Sequence, residues 1–184
     1  NWATLAVVAL LMRPAGLKFR EIGLGRPELR HFVAGFFFFL LGVGLFYLVL
    51  VLAAKVAPGA CVRGMAFHLA GWRTWPIVVF AALLTMPVCQ EILYRGYAIK
   101  VMGDRLGSYW AGGVVSCIVF GLVHLPHFGT VGAVALTVWS VLPMFLFIWM
   151  RSVYPGMVMH FLNNLWAFIL LRLILPELFL PAAG

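Results

Sequence analysis

Acidic side chains are almost missing from this chain: five of its 184 residues are Asp or Glu, and all charged residues together make up 10%. Soluble domains average about 25% charged residues, so a water-exposed globular surface could not be covered. Disorder is excluded by the opposite property, since 65% of the residues are hydrophobic and disordered chains are poor in such side chains. Cysteine is equally scarce. Cys61, Cys89 and Cys117 form an odd set without CxxC spacing, which gives neither a disulfide framework nor a zinc signature. Cys89 and Cys117 fall in apolar runs and read as small buried hydrophobes. Internal repeats, low-complexity tracts and a soluble domain are absent too.

What is present is a succession of long charge-free runs in a chain of mean hydropathy +1.08. A membrane-crossing helix needs roughly 20 predominantly apolar residues. Residues 32–54 carry no charge, and 74–90 carry none, with a helical pattern continuing through Glu91 and Arg95 toward Lys100. The 45 residues between Arg105 and Arg151 are uncharged, enough for two crossings with a turn near Pro126. Residues 152–171 supply a fifth crossing, ending before Arg172 and Pro176. Residues 1–12 are a partial one and, opening at Asn1, read as the tail of a longer helix. In lipid, backbone groups must be satisfied internally, and long unalternating runs achieve this as helices. The expected architecture is an all-α polytopic membrane bundle with an intramembrane polar cavity. It forms a single domain over 1–184, with a partial span and basic surface segment in 1–31 and a motif-bearing core in 75–171.

The formal net charge of +8 raises the possibility of a nucleic-acid partner, but the basic residues are placed as membrane topology places them. Arg13, Lys18, Arg20, Arg26 and Arg30 share one interhelical segment with Glu21 and Glu28. Counting alternate loops, the same side receives Lys100, Arg105 and Arg151, against Lys55, Arg63, Arg73 and Arg172 on the other. Segment 13–30 is therefore assigned to the cytoplasmic side, and no nucleic-acid partner is expected. Leu17, Phe19, Ile22 and Leu24 interleave with its basic residues, as in a segment lying along the membrane surface.

Ionisable groups inside spans cost roughly 2.5–3.5 kcal/mol each on insertion scales, so each one demands a role. Glu91 and Arg95 stand four apart on one helical face with the acid first, the favourable order for an ion pair, and Gln90 lies beside them. Phe120 and His124 are again four apart, as are His160 and Asn164; His127 follows Pro126 and reads as a structural interface residue. Singly, these are an ion pair, a hydrogen-bonded helix-end histidine and interhelical polar glue. Together, an acid, two histidines and an amide from three spans make the inventory of a hydrolytic site. A carboxylate and a histidine can take a proton from water, while a second histidine and an Asn amide donate to the oxyanion. Alternatively, Glu91, His124 and His160 could ligate a divalent metal as two histidines and a carboxylate. Asn164 is a poor fourth ligand, so no tightly bound ion is expected. HExxH is absent, and no Ser or Cys nucleophile accompanies a base in these motifs. A small proton-relaying transporter built on His124 and His160 would call for an inverted repeat, which the sequence lacks.

The order Glu-x-x-x-Arg, Phe-x-x-x-His, His-x-x-x-Asn, each on its own apolar span between about residues 75 and 171, resembles the CAAX-protease and bacteriocin-processing family of intramembrane peptidases. Within it the likeness is to the type II CAAX prenyl endopeptidase group. The resemblance implies an endopeptidase of a bacterial cytoplasmic membrane, with a membrane-associated peptide or protein as substrate. In that family the first motif begins with two adjacent glutamates, the first of which activates water with the second-motif histidine. Carried over, that role falls on position 90 with His124, oxyanion stabilisation on His160 and Asn164, and completion of the first motif on Glu91 and Arg95, with Phe120 as support. Position 90 departs from the pattern. Gln90 cannot accept a proton near neutral pH, so either Glu91 takes over, or the chain is a weakened member acting as a membrane scaffold, binding or bacteriocin-immunity protein, or the substitution was introduced to hold substrate or structure. Regular up-and-down threading would set His124 and His160 more than about 10 Å apart in depth at 1.5 Å per residue. Their convergence would require tilting, a break such as one at Pro143, or an inward-dipping connection at 126–132.

Overall fold

A computed structural model describes residues 2–57 and 76–167. The structure contains α1 (Trp2–Met12), α2 (Leu29–Val56), α3 (Pro76–Gln90), a π-helical segment Glu91–Ala98, α4 (Ile99–Leu106), α5 (Tyr109–Met150) and α6 (Tyr154–Leu165). No strand occurs among the described residues, and the chain is a helical membrane protein. Cys61, Arg63, Arg73 and Arg172, the Thr74 start of the third run and the end of the last one lie outside the described residues.

Local chemistry sets the corners. At the start of α2 the Glu28 backbone N–H donates to His31 Nδ1 at 3.0 Å, satisfying a donor that a helix start leaves open. Between α4 and α5, Gly107 takes a left-handed φ of 68° and Ser108 Oγ accepts the Ala111 N–H at 3.3 Å. A Gly stop followed by a Ser start makes this turn only two residues long.

α5 is nominally 42 residues, about 63 Å at 1.5 Å per residue, twice the roughly 30 Å hydrocarbon thickness. It is not one rod. Gly129 has φ 66° and ψ −179°, a conformation open to Gly alone, and the chain doubles back there. Gly113 meets Met144, Cys117 Sγ lies 3.7 Å from Met144 Sδ, and Gly121 abuts Thr137 and the Ala133 carbonyl. These contacts are antiparallel, so the 45-residue uncharged run makes two crossings as expected, turning three residues later than Pro126. Gly113, Cys117 and Gly121 recur every fourth residue, giving the small-residue stripe that lets membrane helices approach. Pro126 and Pro143 both sit inside helix, so Pro143 does not break the chain.

α2 is almost wholly unburied over its apolar length and forms the lipid-facing wall, whereas half of the corresponding stretch of α5 is interior. α6 packs between α2 and the α5 hairpin. The basic segment after α1 also contributes to the interior. Ile22 is fully buried with Val8, Met12 and Ile92, and the Gly23 carbonyl accepts the Val153 N–H at 3.2 Å. Only Phe19 among its four interleaved hydrophobics is well exposed. The segment is therefore pinned into the bundle by Ile22 rather than resting on the membrane surface through all four.

Candidate active site

Pro87 lies in the last turn of α3. A proline here removes one ladder hydrogen bond and crowds the preceding turn, and the helix continues at the wider π pitch from Glu91 to Ala98. Such π turns recur at functional sites. This one carries Glu91 and Arg95 inward, 0% and 1% exposed. Two bonds from α5 fix it. Ser116 Oγ donates to the Tyr94 carbonyl at 2.6 Å, and Arg95 Nη2 donates to the Ser140 carbonyl at 3.3 Å.

Glu91 is the hub. Its Oε1 lies 3.1 Å from Arg95 Nη1, an ion contact too oblique for a hydrogen bond, and accepts the His160 Nδ1–H at 2.9 Å. The first and third motifs, 69 residues apart, are thus joined in a buried triad of acid, base and imidazole. Charge removed from water this completely is tolerable only because partners surround it. Oε2 has no hydrogen-bonding protein partner and faces α6 where Gly156 leaves room: a Cβ at 156 would stand 2.7 Å from it.

Phe120 occupies the centre. The Arg95 guanidinium carbon lies 4.6 Å from its ring centroid, His124 packs at 4.5 Å, His160 edge-on at 6.3 Å, and Tyr94 edge-on at 5.1 Å. Both histidines therefore flank one ring, and the depth mismatch of a regular threading does not arise. The α5 hairpin brings its second half back beside Phe120 while α6 enters two turns before His160. His124 Nδ1–H donates to the Phe120 carbonyl at 2.6 Å, which leaves Nε2 of a neutral ring as an acceptor. His124 is half-buried and His127 is exposed.

Asn164 is one turn beyond His160 and buried, and its Nδ2 has no protein acceptor. Gln90 is half-buried at the junction of α3 and the π segment, outside the triad. Glu91 and His160 are therefore joined directly and His124 through Phe120, with Asn164 one helical turn from His160. Among the described residues no three His, Cys, Asp or Glu side chains cluster as metal ligands. Glu91 turns one oxygen to Arg95 and His160 together, and that guanidinium beside the carboxylate is an unsuitable neighbour for a divalent cation.

Two residues escaped the sequence reading. Trp139 packs 5.1 Å from His160 and 6.2 Å from Phe120, a contact created by the hairpin and carried by no motif. Gly156 admits the Glu91 carboxylate; its spacing of four before His160 was the one available signal.

No curated protein and no solved structure matches the chain. Residues 71–166 match the family model described as Type II CAAX prenyl endopeptidase Rce1-like. That stretch covers more than half of the chain and contains Gln90, the Glu91–Arg95 pair, Phe120 with His124, and His160 with Asn164. The chain therefore belongs to the Rce1-like family of type II CAAX prenyl endopeptidases, a family of proteases.

Proposed function

We propose that this chain hydrolyses a peptide bond in a membrane-associated peptide or protein, using a water molecule activated within the bundle. The observation that carries this reading is Asn164 Nδ2, a buried donor without a protein partner one turn from a histidine held by Glu91. A buried donor left unpaired costs about 1–3 kcal/mol, which a substrate oxyanion would recover. His124 Nε2 takes a proton from water as the water oxygen bonds to the carbonyl carbon. Asn164 and His160 donate to the resulting oxyanion. His160 donates to Glu91 through Nδ1, so it donates through Nε2 only as imidazolium, with Glu91 and the oxyanion together facing the two cations His160 and Arg95. As the C–N bond breaks, His124 returns the proton to the leaving amine.

In this scheme Glu91 positions His160 and does not itself receive the proton, because its charge is held by the Arg95 guanidinium at 3.1 Å and its Oε1 by the His160 Nδ1–H at 2.9 Å. Position 90 is the seat of the second proton acceptor, where Gln90 can orient water but not deprotonate it. No step requires a metal. We place residues 13–30 on the cytoplasmic side of the membrane by their basic excess. The family makes a prenylated C-terminal peptide the first substrate to test. A membrane-peptide library offered to the purified chain and to Gln90→Glu, with products sequenced by mass spectrometry, tests the proposal. Cleavage by Gln90→Glu that disappears on His124→Ala is the expected result. Gln90 also supports a second reading, a weakened family member serving as a membrane scaffold, binding or immunity protein. Failure of both forms to cleave, with a membrane partner still bound, selects it.

A further inference from the structure

Basic residues converge at the end of the bundle where α4, α5 and α6 turn. Arg20, from the loop after α1, Lys100, from α4, and Arg151, from the α5–α6 turn, face one cavity of about 210 Å³ walled by Tyr109 and Phe147 and completed by Glu21. Lys100 lies nine residues beyond Glu91 on the same helical run, so this cavity is separate from the catalytic cluster by more than two turns. Folding has brought three cations from three segments together, against their mutual repulsion.

Protein carboxylates pair with only one of them. Lys100 pairs with Asp104, whose other oxygen accepts the Tyr109 hydroxyl at 3.1 Å and whose charge also reaches Arg151 beyond ion-pair distance. The one acid in the lining, Glu21, accepts the Lys18 backbone N–H at 2.7 Å through Oε2. Among the described residues no carboxylate lies within ion-pair distance of Arg20 or Arg151. Arg151 is also held in place. It terminates α5 with a left-handed φ of 53°, and its guanidinium carbon lies 4.1 Å from the Tyr109 ring centroid. Stacking of this kind occupies the face of the guanidinium and leaves its planar N–H edge free to bind two oxygens of one anion.

We propose that this cavity binds a phosphate group, supplied by the headgroup of an anionic phospholipid. Arginine edges match phosphate oxygens geometrically, and the volume exceeds that of several water molecules at about 30 Å³ each. The height is that of a headgroup, because the apolar helices end at Leu106, Tyr109 and Met150 around it. Basic pockets between membrane helices are where such headgroups bind.

The test uses the purified full chain in neutral detergent micelles, titrated with short-chain phosphatidylglycerol, phosphatidylcholine or inorganic phosphate while thermal unfolding is followed by tryptophan fluorescence. Phosphatidylglycerol raises the midpoint saturably and phosphatidylcholine does not. The half-saturating concentration rises about tenfold or more in Arg20→Gln/Arg151→Gln and falls in Glu21→Gln, as expected for charge-assisted contacts. Arg13→Gln/Arg26→Gln removes the same charge outside the cavity and leaves it within about twofold. If the cavity double variant does not fold, Glu21→Gln and Arg151→Lys carry the test, the latter keeping charge while losing the stacked edge and weakening binding. Phosphatidylglycerol binding tighter than inorganic phosphate assigns the site to a lipid; equal binding assigns it to free phosphate and overturns the headgroup. Equal loss in both double variants reveals diffuse attraction and overturns the site, as does the absence of any shift.

Discussion

Replacing Glu91 by Gln keeps the shape of the side chain and an oxygen for His160 Nδ1–H, yet removes the charge facing Arg95 at 3.1 Å. Exposed pairs of this i,i+4 kind contribute about 0.3–0.5 kcal/mol. Here both partners are fully buried, and breaking a buried pair by deleting one member costs roughly 3–5 kcal/mol because the other charge is stranded. Arg95 retains the Ser140 carbonyl at 3.3 Å and the Phe120 face at 4.6 Å, the latter worth up to about 2 kcal/mol when desolvated. A loss near the lower bound, about 3 kcal/mol, is therefore expected. At 2–4 °C per kcal/mol for chains of this size, the unfolding midpoint should fall by about 6–12 °C. Arg95→Met added to Glu91→Gln removes the stranded charge and should recover much of that loss, since apolar replacement of a buried pair is often neutral. Thermal unfolding in detergent of the four proteins of this cycle measures the coupling directly. A Glu91→Gln protein within about 0.5 kcal/mol of the parent, or a double variant whose cost is the sum of the singles, would refute the buried triad.

Gln90→Glu should raise turnover on a cleavable membrane peptide by about 10²–10⁴-fold, the usual contribution of a general base; an unchanged rate, with Glu91→Gln inactive, would move the base to Glu91. Gly156→Ala gains at most about 1 kcal/mol of helix propensity but sets a Cβ 2.7 Å from Glu91 Oε2, so net destabilisation is expected, and an unfolding midpoint above the parent's would contradict that packing. Outside the membrane, the hydrogen bond from Lys100 holds the Asp104 carboxyl below its ordinary value, and that same bond holds Lys100 above its own. The pair's stabilisation is complete between the ordinary values of about 3.9 and 10.4. It is lost as pH falls through the depressed Asp104 value or rises through the raised Lys100 value. Because Asp104 is half-exposed and screened, Asp104→Asn should change stability at neutral pH by less than about 0.5 kcal/mol, and a larger change in pH-resolved melting would show a stronger bond. Elemental analysis of purified protein should find no stoichiometric zinc; zinc present one-to-one and lost on His124→Ala would establish a metal enzyme.

The sequence by itself determined the membrane class, because five acids in 184 residues cannot clothe a soluble surface. It also determined which residues share a helical face, since spacing of four is a local property: Glu91 with Arg95, Phe120 with His124, His160 with Asn164. Even the doubled crossing between Arg105 and Arg151 was legible from length, though Gly129 rather than Pro126 makes the turn, because proline is tolerated in membrane helices whereas ψ near 180° at positive φ is open only to glycine. Only tertiary structure decided that Glu91 meets His160 across 69 residues, that Trp139 and Gly156 complete the cluster, and that Ile22 plugs the interior. It likewise brought Arg20, Lys100 and Arg151 to one cavity. Such contacts depend on which faces the α5 hairpin presents to α3 and α6. Periodicity gives the faces of each helix but not the rotations and depths at which helices meet, which small residues at Gly113, Gly121 and Gly156 set by letting backbones and a buried carboxylate approach.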